Sequence, residues 1–291
     1  MTLRHLNIFI TVCKEKSITK AGEKLFISQP AVSNAIKELE LYYRTPLFDR
    51  ISKKLYLTES GKNLYQYALH ITSLFDELNE SMQSQNEAAT LKIGSSITIG
   101  NYYMPQFIAS FSQVHPRTKT YVTVQNSDII EKMILENELD FAFIEGIVHS
   151  NQLISSDFMT DQLIFICAPS HPFLLKSNIC IKELEQESFL MREKNSGTRE
   201  LADSVLALHN CSVIPLWESS STNAIIQAVS KGLGISILPI HLCEDKLKDG
   251  CIQTFSVPGI TFERNYHIIY HKNKYISPAA NTFIHFCKDL I

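Results

Sequence analysis

No stretch of the 291-residue chain approaches the roughly 18–20 apolar residues that a membrane span requires, so no membrane partner is expected. The seven cysteines (Cys13, Cys167, Cys180, Cys211, Cys243, Cys251 and Cys287) are scattered, odd in number and nowhere spaced C-x-x-C. That pattern argues against a disulfide framework and against a zinc site. Reduced thiols in a cytoplasmic protein are the expectation. Enzyme signatures are missing as well: there is no G-x-S-x-G, no H-E-x-x-H and no P-loop, and "GLG" at residues 232–234 is too short for a dinucleotide fingerprint. His267 and His271 are four residues apart but lie in a strand pattern, so no metal or other cofactor is expected. The opening "MTLRHLNIFITVCKEK" has no A-x-A-like cleavage site, and its apolar run breaks at Lys14, so it reads as the first turns of a domain.

What is present is unevenly distributed. The net charge is −3, yet residues 1–62 carry 11 Lys and Arg against 6 Asp and Glu, while the remainder carries 16 against 24. A basic N-terminal fifth on an acidic body is the footprint of a polyanion partner. Leu3, Leu6, Phe9, Ile10 and Cys13 recur at helical spacing, and Ser17 offers an N-cap for a second helix through about Phe26 with Ala21 and Leu25 inward. A short turn separates it from a third pattern, Ala31, Val32, Ala35, Ile36 and Leu39, which together predict a helix-turn-helix. "RISKKLYLTESG" reads as two short strands with a basic tip. From Gly61, Leu64, Tyr67, Ile71, Leu74, Leu78 and Met82 predict one long helix with a seam for a second copy.

From Leu91 strands and helices alternate. "LKIGSS", "TYVTVQ", "LDFAFIE" and "QLIFICAP" read as strands, with helices at about 100–114 and 127–137. A second round follows: "SFLMRE", a helix from Gly197 to about Leu208, "VIPLWESS", a helix from Thr222 to Lys231, and "GISILP". "NYHIIYHK" and residues 278–290 add a strand and a helix. Alternation predicts parallel sheets with helical crossovers, in two lobes with a cleft. The chain is expected to cross between lobes near Thr160–Asp161 and again near Glu263–Asn265. The division expected is a helix-turn-helix domain at 1–62, a linker and dimerisation helix at 63–90, and a two-lobed α/β domain at 91–291. Within the last, lobe 1 takes 91–160 plus 265–291 and lobe 2 takes 161–264.

The stretch "ITKAGEKLFISQPAVSNAIKELE", residues 18–40, places Pro30 where a helix tolerates it, in a first turn capped by Ser28. Opposite the apolar face stand Gln29, Ser33, Asn34 and Lys37. Gln and Asn can bond adenine edges, Ser several bases, and Lys a phosphate. Such a helix suits the major groove of double-stranded DNA. The basic tip at Arg50, Lys53 and Lys54 would grip phosphates or an adjacent minor groove.

These residues resemble a known family. "AGEKLFISQPAVSNAIKELE", then "LFDR", then "LTESG" are similar to the N-terminal domain of LysR-type transcriptional regulators, and a looser likeness runs on through "LKIGSS" and "GLGISILP". The resemblance implies a winged helix-turn-helix, a dimerising linker helix, and a two-lobed α/β effector domain like periplasmic solute-binding proteins. It also implies a homotetramer that bends promoter DNA under control of a small inducer. It assigns DNA contacts to Gln29, Pro30, Ser33, Asn34, Lys37, Arg50 and the wing lysines. The position of Asn34 is often Arg or another long polar residue in that family, so operator preference does not carry over.

A ligand of such a domain belongs where strand ends meet helix N-termini. Three stretches qualify: "GSSITIGNYYMP" with Ser95, Ser96, Thr98, Gly100 and Asn101; "EKNSGTRE" with Ser196, Thr198 and Arg199; and "WESSSTNA" with Ser219, Ser220 and Ser221. Each alone reads as helix capping; three together point to a cleft for a small anion, sulfate-like or carboxylate. The alternative is a small-molecule-binding protein or enzyme of the two-lobed α/β type.

Overall fold

The computed structural model describes residues 1–51, 54–83 and 89–291, and of residues 50, 54, 77 and 80–83 the backbone alone. Two compact units result, one covering residues 1–87 and the other nearly all of 88–291.

In the first unit, α1 (Leu3–Glu15), α2 (Ile18–Leu25) and α3 (Gln29–Tyr43) form a three-helix core. Leu6, Phe9, Val12, Ala21, Val32, Ile36 and Leu39 are buried together. Burying one large apolar side chain of this kind contributes about 1.5–3 kcal/mol, so the inward stripe alone holds the helices in place. Ser17 Oγ accepts from Lys20 N at 3.3 Å, capping α2. Phe26 then turns left-handed (φ +56°), and Ile27 N donates to Gly22 O at 2.9 Å to close the turn. A Cβ on Gly22 would lie 2.8 Å from Ile27 O, so only glycine lets the chain fold back this tightly. The apolar face of α3 differs from expectation at one residue: Ala31 is exposed. It lies in the first turn, where the helix end runs past the core that covers Val32 and Ala35.

A wing follows, β1 (Phe48–Ile51) paired antiparallel with β2 (Lys54–Leu57). Lys53 lies outside the described residues, as do the side chains of Arg50 and Lys54. Thr58 Oγ1 accepts from Gly61 N at 2.9 Å and starts α4 (Glu59–Gln83). At 1.5 Å per residue α4 is about 37 Å long. Leu64, Tyr65, Ala68 and Leu69 face the three-helix core, while Tyr67, Ile71, Leu74, Phe75 and Leu78 are exposed.

The second unit is built on a mixed seven-stranded sheet. β3 (Thr90–Ser96) pairs parallel with β4 (Lys119–Gln125) and β5 (Phe141–Glu145). Between them lie α5 (Ile97–Tyr102), α6 (Met104–Val114) and α7 (Ser127–Leu135). The single helix expected at 100–114 is therefore two, broken at Tyr103 just ahead of Pro105.

Two long strands depart from the all-parallel expectation. β6 (Leu153–Cys167) begins nine residues before "QLIFICAP" and runs antiparallel to β11 (Phe262–His271). Asp161 faces Arg264 and Thr160 faces Asn265 in that ladder, so the two expected crossings lie side by side. On the far side are β7 (Phe189–Arg192), parallel to β8 (Pro215–Ser219), and β9 (Ser236–Pro239) and β10 (Gln253–Phe255), both antiparallel to β6. Helices α8 (Ile181–Leu184), α9 (Gly197–Leu208), α10 (Thr222–Ser230) and α11 (Ile240–Lys248) cover these strands, and α12 (Pro278–Asp289) returns to the β3–β5 side. The apolar cores are correspondingly separate. One gathers Leu91, Phe107, Phe143, Tyr266 and Phe283; another gathers Phe165, Phe189, Leu206, Ile237 and Phe262. Two lobes thus share two strands.

Candidate functional site

Ser28 Oγ accepts from Ala31 N at 3.4 Å and caps α3, with Pro30 in the first turn. Ser28, Gln29, Pro30, Asn34 and Lys37 are exposed and Ser33 is half-buried, while Val32, Ala35, Ile36 and Leu39 point the other way. The helix therefore offers a polar side that nothing described in its own unit covers at these positions.

The effector candidates divide. Ser96 and Thr98 are fully buried where β3 passes into α5, and so is Ser95, whose hydroxyl donates to Ser96 O at 3.1 Å. Gly100 faces Val124, and Asn101 is exposed. Ser196 Oγ accepts from Arg199 N at 3.1 Å, capping α9. Ser219 and Ser221 accept from backbone N–H groups of Ser221 and Ala224 at the start of α10, and Ser220 is exposed. In the third stretch it is Thr222 that turns inward, accepting from Arg192 Nη1 at 3.3 Å.

The network that joins the lobes runs through charges that sequence reasoning passed over. Thr98 Oγ1 donates to Glu145 Oε1 at 3.0 Å. Arg264 donates from Nε and Nη2 to Asp161 Oδ2 at 2.8 and 2.6 Å, and from Nη1 to Thr198 Oγ1 at 3.1 Å. Its Nη1 also lies 3.9 Å from Glu145 Oε1. Arg192, 1% exposed, is held by Glu193 at 2.8 and 3.0 Å. Burial raises the pKa of Glu145, against the opposing pull of Arg264, Arg192 and the Thr98 hydroxyl. Glu145 and Arg192 each close a wholly buried strand, "FAFIE" and "FLMR". A lone charge ending an apolar strand run is the signal that points to them. Gly197 completes the contact: a Cβ there would lie 2.5 Å from Glu145 O, so a side chain would wedge the lobes apart.

A second contact between lobes involves His149. Its Nδ1 lies 3.3 Å from Glu131 Oε1 on α7 and its Nε2 lies 3.1 Å from Glu200 Oε1 on α9. Carboxylates only accept, so both bonds form together only with the doubly protonated ring. Burial alone would lower this pKa, but the hydrogen bond to Glu131 and the charges of Glu200 and Glu131 raise it above the usual value. The contact therefore adds stability below the pKa of an unfolded imidazole and loses it as pH rises through the raised value. Glu200→Gln should move the His149 titration down, read as the shift of its ring signals in an NMR pH series. An unmoved midpoint would show that Glu200 does not hold the proton.

Burial pushes the thiols of Cys13, Cys167, Cys211, Cys243 and Cys287 up, Cys167 to about 11 and Cys243 to about 12. Little thiolate forms at these positions near neutral pH.

A helix-turn-helix with an uncovered polar side, fused to a two-lobed α/β unit with polar side chains gathered where the lobes meet, is the build of a ligand-responsive transcription regulator. The profile of "Bacterial regulatory helix-turn-helix protein, lysR family" matches residues 3–62, and that of the "LysR substrate binding domain" matches residues 84–291. The chain belongs to the LysR family of DNA-binding transcriptional regulators. It is 35% identical over 287 residues to the HTH-type transcriptional regulator YeiE of Escherichia coli (strain K12), covering 99% of this chain and 97% of that protein. Among solved structures it is similar to a full-length OxyR variant from Pseudomonas aeruginosa, with a TM-score of 0.69 and 24% identity over 99% of this chain and 94% of that one. It is also similar to the Synechocystis PCC6803 CcmR regulatory domain in complex with 2-PG, with a TM-score of 0.65 and 26% identity over 69% of this chain and 97% of that one. No helix among the described residues is long and apolar enough to cross a membrane.

Proposed function

We propose that this chain is a cytoplasmic regulator whose grip on promoter DNA, or bending of it, is set by a small anion bound between the lobes. The chain divides into a DNA-binding domain at 1–62, a linker at 63–90, and an effector domain whose lobes are 91–160 plus 265–291 and 161–264. A homodimer forms along α4, and dimers pair into a tetramer. Ser28, Gln29, Pro30, Ser33, Asn34 and Lys37 meet the major groove, with Arg50, Lys53 and Lys54 on flanking phosphates or in the adjacent minor groove. The effector is held by Ser96, Thr98, Ser196, Thr198 and Arg199, with Ser95, Gly100, Asn101 and Ser219 to Ser221 around them.

One observation carries the reading. Thr98 of one lobe and Thr198 of the other are tied through Glu145 and Arg264, with Glu145 to Arg264 at 3.9 Å. A ligand that engages this chain of groups changes how the lobes meet. The relative solved with 2-PG in its regulatory domain supports a small-molecule site in this half of the chain.

Gel shift against the upstream intergenic DNA tests the DNA half. Affinity should fall steeply with salt, log K dropping by about 0.9 per phosphate neutralised for each decade of salt. Ser96→Ala or Thr98→Ala should weaken induction by effector and leave inducer-free operator affinity intact. A collapse of that affinity in either variant would overturn the assignment.

A further inference from the structure

We propose that the effector anion and Glu145 share one proton, so that each anion bound is accompanied by uptake of one proton. This rests on the reading of the cleft as the effector site and adds a rule about which ionic form fits there.

Glu145 is 2% exposed, at the end of β5. Its Oε1 accepts from Thr98, whereas its Oε2 has no hydrogen-bond partner among the described residues. The nearest cation faces it at ion-pair distance but gives it no hydrogen bond. Arg264 directs Nε and Nη2 to Asp161 and Nη1 to Thr198, leaving only a 3.9 Å approach to Glu145. Arg192, the other buried cation facing this carboxyl, is committed to Glu193 and Thr222. The buried guanidinium groups of Arg264, Arg192 and Arg199 thus spend their hydrogen bonds on Asp161, Glu193, Asp203 and Glu218, and none donates to Glu145. The Ser96 hydroxyl, fully buried beside Thr98, also has no partner among the described residues.

An anion entering this set meets an enclosed carboxylate at short range. Two like charges so placed cannot both remain ionised. A proton on Oε2 removes the negative charge and converts that oxygen from acceptor to donor, and the buried Ser96 hydroxyl, without a partner among the described residues, is a second donor. The proton comes from solvent, or with the ligand when the ligand is itself a protonated oxyanion. Burial of Glu145 acts in the same direction. Asp161 and the Tyr266 hydroxyl, both buried, also face this carboxyl, and the charge of Asp161 acts in the same direction as burial; His149, held by Glu131 and Glu200, is a further titratable group at the contact between lobes.

Sulfate and acetate, neither of which titrates between about pH 6 and 8.5, are the probes, used on the full-length chain by calorimetry. Affinity should fall about tenfold for each pH unit above the pKa of Glu145. Repeating the titration in two buffers of different ionisation heat should give one proton taken up per anion. Glu145→Gln, which carries the donor permanently, should bind with a flat pH profile. Affinity independent of pH in the unaltered chain overturns the proposal, and so does the same slope in Glu145→Gln, which would place the proton on His149. If the variant does not fold, the proton count on the unaltered chain decides. Absence of binding by either probe at every pH overturns the anion reading of the cleft along with it, an outcome distinct from binding without proton uptake.

Discussion

Replacing Arg264 by methionine should destabilise the C-terminal unit by about 3–5 kcal/mol, the cost of leaving buried charges without their partner. Asp161 and Glu145 are almost wholly enclosed, and Arg264 contributes two hydrogen bonds to the first and the closest positive charge to the second. Methionine fills the space and supplies neither. The loss should grow as pH rises, because protonating the carboxyls relieves it. Urea unfolding followed by Trp217, the single tryptophan, reads this unit separately from the DNA-binding one. Adding Asp161→Leu and Glu145→Gln to Arg264→Met should restore most of the stability, since removing a whole buried ion cluster costs far less than breaking it. A single-variant loss below about 1 kcal/mol would place the cluster in contact with solvent, where ion pairs contribute that little.

The second large effect concerns assembly. Leu74→Glu with Leu78→Glu should convert the chain to a monomer in sedimentation and lower operator affinity by about 10²–10⁴, the advantage of two linked half-site contacts. Both leucines are half exposed, at 52% and 53%, so the pair should fold normally as a monomer. Tyr67 and Ile71 extend the same exposed row, an apolar strip that a lone helix would leave in water. Retained dimer mass in the double variant would move the interface elsewhere.

The helix-turn-helix was legible because each of its signals is local. Ser17 and Ser28 cap within three residues, and Val32, Ile36 and Leu39 fall on one face at helical spacing. The long helix α4 was legible for the same reason, although Leu64, expected on its outer seam, packs on the three-helix core, and the side chain of Met82 lies outside the described residues. The sheet was only half so. "LISSDFMTD", the first part of β6, alternates polar and apolar residues too weakly to stand out, and it is extended because β11 pairs with it. Of the site, the Ser and Thr positions could be seen ahead of their helices, yet the charges that bind the lobes could not be paired. Arg264 lies 103 residues from Asp161, and sequence spacing carries no sign of that contact. Capping accounts for Ser219 and Ser221, while the inward Thr222 was read only as the start of a helix.

The antiparallel ladder of β6 and β11 has one further consequence. Strands hydrogen-bonded from Phe262↔Leu163 through His271↔Leu153 resist sliding past each other, but such a ribbon flexes and twists. Its register slips between Tyr266 and His267, a yield point three residues beyond Glu263. Rotation of one lobe on the other would have to turn about this ladder, and the ligand proposed for the cleft would then act close to the axis, where a small displacement is a large one at the rim.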